Sequence, residues 1–394
     1  MSADKPPCIM LVAAEASGDA LGAGLARALR ARLGDQIRLI GVGGPAMARE
    51  GIGSPFNITE LSVLGLLEGV AAYPKVVKRA DETAAFAAAE KPDVAVLIDS
   101  WGFTLRVAKR LRLVDPSLPL IKYVGPQVWA SRPGRAKVLA GAVDRLLSIH
   151  AFDLPYFEAE GLRTTFVGNS ALSRDFSGAD RERLRAHIGA AADDPILLIL
   201  PGSRPGEVNR LMPIYKDVAA GLAIVRPALK LVLPVAETVS AQVKAALADW
   251  TVPVHVVEGD VLKYDAMRAA TVALACSGTV TTELALAGCP MVVAYRVGNL
   301  SHFILKRVLT ARYATLFNIA ANEAIAPEFL QYDCTAAALT NALATRLDDP
   351  ELRADQAVRQ YAALDKMGRG GPDPSGLAAD AVIETLQERG RLLR

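Results

Sequence analysis

Val272-Ala273-Leu274-Ala275-Cys276-Ser277-Gly278-Thr279-Val280-Thr281-Thr282-Glu283 is an apolar run that ends in small hydroxyl residues and then a carboxylate. Val272–Cys276 predicts a buried strand, and Glu283-Leu284-Ala285-Leu286-Ala287 predicts a helix. A strand handing over to a helix through Ser277, Gly278, Thr279 and Thr282 leaves backbone N–H groups without intrahelical partners. Such an end suits a phosphate or diphosphate. Glu283, one turn into the helix, is placed to take the two hydroxyls of a ribose. The plain alternative is a helix cap, because Ser and Thr are ordinary N-cap residues.

The same strand-then-helix grammar repeats on both sides of this turn. In the first half the strands predicted are Ile9–Ala13, Ile37–Val42, Val94–Ile98, Leu120–Val124, Arg145–Ile149 and Thr165–Val167, with helical patterns such as Asp19–Arg32 and Thr104–Leu113 between them. Around Ser173–Ala192 the composition turns polar, and a second series follows: Ile196–Leu200, Lys230–Pro234, Val254–Val257, Val272–Cys276 and Met291–Tyr295. Such spacing predicts an α/β chain of two Rossmann-like halves facing a cleft, closed by C-terminal helices. The domains expected are 1–170, 171–365 and a terminal helix at 366–394 that packs back on the first domain. In open α/β sheets ligands bind beyond the carboxyl ends of the strands, so the loops there are the candidates.

A chain of 394 residues favours two cores over one. A net charge of +2 gives no global attraction for nucleic acid, so an anionic partner must be met by local patches. Cys8, Cys276, Cys289 and Cys334 are far apart, and with His only at 150, 187, 255 and 302 no metal-ligand spacing is visible. Neither a metal nor a cofactor is expected. The N-terminal run Cys8–Ala14 is short, ends at Glu15 and lacks the basic flank of a signal peptide. A cytoplasmic protein is expected, one that can still touch a membrane surface.

Four further loops carry chemistry. Glu15-Ala16-Ser17-Gly18-Asp19 opens a helix after the first strand, with Glu15 or Asp19 facing substrate or simply a capped start with a turn glycine. Gly41-Val42-Gly43-Gly44-Pro45 lacks the full dinucleotide spacing and reads as a tight turn. Asp99 ends the very apolar strand Val94–Ile98. A carboxylate there is expensive to desolvate unless used, and partial burial suits a general base; the alternative is a cap on the helix near Thr104. Pro126–Arg135 sets Trp129 beside Gln127, Arg132 and Arg135, a flat apolar face with anion donors or else ordinary packing.

Pro201-Gly202-Ser203-Arg204-Pro205-Gly206-Glu207 is a glycine-rich strand-to-helix turn whose Arg204 can neutralise a diphosphate. With Ser277–Glu283 in the same half, it makes a nucleotide-diphosphate site the stronger reading. Val63, Leu64, Leu66, Leu67 and Val70 precede Lys75, Lys78 and Arg79, an apolar and basic segment that fits an anionic membrane surface or a core-packed helix. Phe303–Leu309 with Arg312 has a similar character.

The order of these motifs resembles that of the bacterial lipid-A-disaccharide synthases over residues 8 to about 300. The most specific pieces are P-x-V-W-A-x-R at 126–132, L-P-G-S-R-x-x-E at 200–207 and S-G-T-x-x-x-E at 277–283. The resemblance implies an inverting glycosyltransferase of the GT-B type. It would join UDP-2,3-diacylglucosamine to 2,3-diacylglucosamine 1-phosphate, giving a β-1,6-linked disaccharide 1-phosphate and UDP. It also implies a peripheral place on the inner face of the inner membrane and a C-terminal region able to exchange within a homodimer. Asp99 would then be the base on the acceptor 6-hydroxyl, with Glu15 and Asp19 as rivals. Gly202, Ser203, Arg204, Glu207, Ser277, Gly278, Thr279, Thr282 and Glu283 would bind UDP. Ser17, Gly18, Gln127, Trp129, Arg132 and Asn169 would meet acceptor or sugar, and 63–79 would admit acyl chains.

The chain departs from the family pattern in places. Asp99-Ser100-Trp101-Gly102-Phe103 lacks the second carboxylate usual after the aspartate, Ala14 stands where glycine commonly precedes Glu15, and Leu316-Phe317-Asn318 replaces Leu-Pro-Asn. Two other readings are a UDP-N-acetylglucosamine 2-epimerase-like enzyme, which needs no acyl-binding surface, and a non-catalytic nucleotide-sugar-binding protein.

Overall fold

The computed structural model describes residues 6–34, 36–61, 66–298 and 311–392, with the side chains of 66–72 left out. Two compact units result, Met1–Ser170 with Gly371–Arg394, and Ala171–Gly370.

In the first unit, β1 (Cys8–Val12), β2 (Arg38–Val42), β3 (Val94–Ile98), β4 (Leu120–Tyr123), β5 (Arg145–Ser148) and β6 (Arg163–Phe166) form a parallel sheet ordered β2-β1-β3-β4-β5-β6. The central strands β1 and β3 are buried along their whole length, which is why they read as unbroken apolar runs and not as alternating ones. Apolar clusters cover both faces of the sheet. The chain leaves β1 toward β2 and returns to β3 on the other side, so the order reverses between β1 and β3. The loops after those two strands, carrying Glu15–Asp19 and Asp99, therefore open side by side at the crevice where such sheets bind ligands.

The helix Pro374–Glu388 closes this unit against the helix Ala16–Leu33. Asp373 caps it by accepting from the Gly376 N–H at 2.8 Å. The nearly buried Arg145 donates to the Ala381 carbonyl at 3.0 Å and pairs with Glu384 at 2.8 Å. Gly24 brings the two helices close here, since a Cβ there would lie 2.6 Å from Ser375 Oγ and turn that hydroxyl aside.

In the second unit, β7 (Ile196–Leu200), β8 (Lys230–Pro234), β9 (Val254–Val257), β10 (Val272–Cys276), β11 (Met291–Tyr295) and β12 (Glu328–Leu330) are parallel in the order β12-β11-β10-β7-β8-β9. Here the reversal lies between β7 and β10, paired with Ala275 opposite Leu200, so the loops 201–207 and 277–283 emerge together. The fold class is thus the α/β arrangement of two Rossmann-like sheets expected from the sequence. The differences are local, and several are one-residue shifts at strand ends. The strand expected at Thr165–Val167 runs Arg163–Phe166, and β12 was missed because three residues beginning with a glutamate give no periodic signal.

Candidate active site

The two loops of the second unit line a cavity of about 780 Å³. Gly202, Ser203, Arg204, Glu207, Ser277, Gly278, Thr279 and Glu283 all border it. Gly202 has φ +106, and a Cβ there would fall 2.8 Å from that of Glu207, so the turn accepts only glycine. Glu207 in turn accepts from the Arg204 N–H at 3.3 Å and lies 3.5 Å from its guanidinium. That ties down the base of Arg204, whose side chain is otherwise 79% exposed, as a cation that meets an anion must be. Across the cavity Gly278, with φ +152, precedes the helix Thr279–Leu286, whose first N–H groups have no partner one turn back.

Two expected residues behave differently. Thr282 is buried and does not border the cavity, because on this helix it turns toward the core. Glu283 borders it, but its carboxylate is not idle: Arg174 holds Oε1 and Lys263 holds Oε2 at 2.7 Å. Each oxygen keeps a lone pair for a hydroxyl, and the two cations fix the carboxylate in place. Lys263 borders the cavity and was missed by sequence reasoning. It lies on the helix Asp260–Ala269 after β9, whose N-cap Gly259 has φ +82 and also borders the cavity, a strand-to-helix glycine turn that could have pointed to it. Burial pulls its amine down from the ordinary lysine value.

In the first unit, the half-buried Asp99 accepts from the Ser17 hydroxyl at 3.4 Å, which joins the two loops that the strand order predicts to meet. Asp99 does not cap a helix. The helix begins at Trp101, and Ser100 occupies its N-cap position. Glu15 and Ser17 are exposed at the start of the helix Ala16–Leu33, and Gly18 is buried, where an added Cβ would come to 3.4 Å from Ala13 and 3.6 Å from Ile98.

Asp19 is placed differently from Glu15 and Ser17. Its carboxylate is buried and accepts from the N–H groups of Gly44 (2.7 Å), Met47 (3.0 Å) and Ala46 (2.8 Å), capping the helix Pro45–Arg49. A group so engaged holds the Gly41–Pro45 turn.

Trp129 follows the packing alternative. It is only 9% exposed and packs edge-on against Phe152 at 5.3 Å. Gln127 and Arg132 of the same loop are exposed, Asn169 is half-buried, and the Arg135 guanidinium lies over Trp101 at 5.2 Å.

Phe152 also stacks on His150, and Ser148 Oγ donates to Asp153 Oδ2 at 2.6 Å. Burial pushes Asp153 up to about 6, against the hydrogen bonds of Ser148 and Trp129, and pushes His150 down to about 4. A raised carboxyl stabilises the fold below its unfolded value of 3.8 and loses that contribution as pH rises through about 6. The depressed imidazole does the opposite, contributing above 6.5 and failing as pH falls through about 4. Asp153→Asn is therefore expected to raise the denaturation midpoint at pH 8 more than at pH 5, so that the variant's stability falls less steeply between the two than the wild type's. An equal shift at both pH values would refute this.

Val63 and Leu64 lie outside the described residues, as does the 303–309 segment; Leu66, Leu67 and Val70 fall in the first turns of the helix Leu66–Glu90. Lys75 and Lys78 are exposed on that helix. Arg79 is not a free surface cation, because it pairs with Glu60 and Glu82 and lies over Phe56 at 4.8 Å. Among the described residues no helix is long and apolar enough to cross a membrane.

Residues 9–378 match the profile of a family described as lipid-A-disaccharide synthetase. The lipid-A-disaccharide synthase of Rhodospirillum centenum is 41% identical over 98% of this chain and 96% of its own length. That of Paramagnetospirillum magneticum is 42% identical over 96% and 98%. Among solved structures, the S. aureus MnaA-UDP co-structure superposes with a TM-score of 0.62 at 14% identity, covering 98% of both chains. Acinetobacter baumannii MurG gives 0.57 at 18% identity, over 96% of this chain and 100% of its own. At such identities the structural likeness is one of fold alone.

Proposed function

The chain belongs to the lipid-A-disaccharide synthase family, and on that premise we propose how its residues share the work. It is a glycosyltransferase that makes the lipid A disaccharide from a nucleotide sugar and a lipid sugar. The donor is UDP-2,3-diacylglucosamine and the acceptor 2,3-diacylglucosamine 1-phosphate. The single observation behind the donor assignment is the cavity bordered by both glycine turns of the second unit.

In this reading the diphosphate rests between Arg204 and the N–H groups at Gly278–Thr279, and the ribose hydroxyls bond Glu283 in its Arg174–Lys263 clamp. The acceptor 6-oxygen attacks the anomeric carbon as Asp99 takes its proton. The bond from that carbon to the β-phosphate oxygen breaks, and UDP leaves with the electron pair, its charge met by Arg204. Attack opposite the leaving group inverts the anomeric centre to β. Ser17, Gln127 and Arg132 are the exposed donors available to the acceptor and its 1-phosphate. Lys75 and Lys78, with the apolar residues before them, would hold the enzyme on the inner face of the inner membrane, where a homodimer sharing C-terminal helices is also compatible with the family.

The test is UDP release in detergent micelles with and without acceptor. Release that needs both substrates and yields a disaccharide phosphate supports the assignment. Consumption of the UDP-sugar without acceptor would replace it with the epimerase-like reading. Arg204→Ala is expected to raise the Kd of UDP about tenfold or more, the scale of a charge-assisted hydrogen bond. Unchanged affinity would move the diphosphate elsewhere.

A further inference from the structure

Lys122 lies on β4 opposite Leu97 of β3, and it is 2% exposed. Among the described residues its ammonium makes no ion pair. It donates to the Asp99 carbonyl and, at 2.8 Å, to Thr104 Oγ1. Thr104 Oγ1 lies within reach of the carbonyls of Asp99 at 2.8 Å and Ser100 at 3.0 Å, so with Lys122 on the first its single hydroxyl proton is available to the second. Lysine and threonine thus grip both carbonyls of one dipeptide.

That dipeptide needs holding. Asp99 has φ +49 and Ser100 φ +38, two successive non-glycine residues in the left-handed region. Each costs about 1 kcal/mol or more and persists only where its surroundings over-determine it. The turn carries the chain off β3, leaves the Asp99 carboxylate half-exposed beside Ser17, and starts the next helix at Trp101. Taking an ammonium out of water is itself costly, and burial pushes the Lys122 amine down to about 7 despite the neighbouring Asp99 charge. An apolar side chain would fill the site at less cost, but it could not hold a carbonyl.

We propose that Lys122, together with Thr104, is a positioning residue that locks the left-handed Asp99–Ser100 turn and so aims the catalytic carboxylate. The inference rests on Asp99 being the base. It is tested with the full chain and both substrates in micelles. For Lys122→Met the expected result is a kcat lower by about 10- to 100-fold, the size of a small misplacement of a reacting group. KM for the UDP-sugar stays within about twofold, because the donor cavity lies in the other unit, and the unfolding midpoint does not fall, as expected when a buried charge gives way to an apolar side chain. A merely structural lysine would give the reverse, a lower midpoint with kcat per folded molecule retained, and that result would overturn the proposal.

Thr104→Val is expected to lower kcat in the same way, and Thr104→Ser to recover most of the loss. This pair decides the question if Lys122→Met does not fold. Asp99→Asn is measured alongside. If it loses turnover while Lys122→Met and Thr104→Val keep theirs, the base assignment stands and the positioning role falls. If Asp99→Asn itself keeps turnover, the base assignment falls and takes the positioning role with it.

Discussion

Replacing Asp99 by asparagine is expected to lower turnover by about 10²-fold or more, the usual worth of a positioned base, while UDP affinity stays unchanged. Asparagine is the informative choice. It tolerates the left-handed backbone at φ +49 nearly as well as aspartate, whereas alanine would disturb the turn as well as the charge. It also keeps an oxygen for the Ser17 hydroxyl, so the contact between the two loops survives. What it removes is the basic lone pair. The donor cavity draws its lining from the second unit, with residues such as Arg204, Lys263 and Glu283, and none of these depends on Asp99. Single-turnover rates and calorimetric UDP binding on the same preparation check both halves of the expectation. Near-normal turnover would take Asp99 out of the mechanism and direct attention to Glu15, which is exposed at the other loop of the same crevice.

Much of this was legible in the sequence because parallel strands buried on both faces are unbroken apolar runs. Val94–Ile98, Ile196–Leu200 and Val272–Cys276 start and stop in the structure where their composition says they should. The glycine turns that follow β7 and β10 were equally readable, since a backbone that must take φ +106 at Gly202 leaves its mark as a glycine. What the sequence hid were side chains whose roles depend on strand order. Lys263 and Arg174 meet on Glu283 from distant stretches, and no local pattern announces it. Lys122 reads as an interruption in an apolar strand until β4 is paired with β3. Trp129 shows the converse, an aromatic in a suggestive loop that packs inward against Phe152, a contact no local pattern announces.

The Asp19 case turns that ambiguity into a measurement. Asp19→Ala is expected to destabilise the protein by about 3–5 kcal/mol, the range seen when one partner of a buried charged network is removed. Three backbone N–H groups, of Gly44, Ala46 and Met47, would lose their acceptor. Donors stranded in a buried site each cost about 1–3 kcal/mol, though not additively. Asp19→Asn should fall between wild type and alanine. Its oxygen can serve Gly44 and Met47, but its amide would then face the Ala46 N–H, donor against donor. Both variants lose activity in a crude assay, as Asp99→Asn does, so turnover alone cannot separate them. Chemical denaturation can. The expected pattern for Asp19 is a lowered midpoint with kcat per folded molecule close to wild type. A fully stable Asp19→Ala protein with no turnover would restore Asp19 as a rival base.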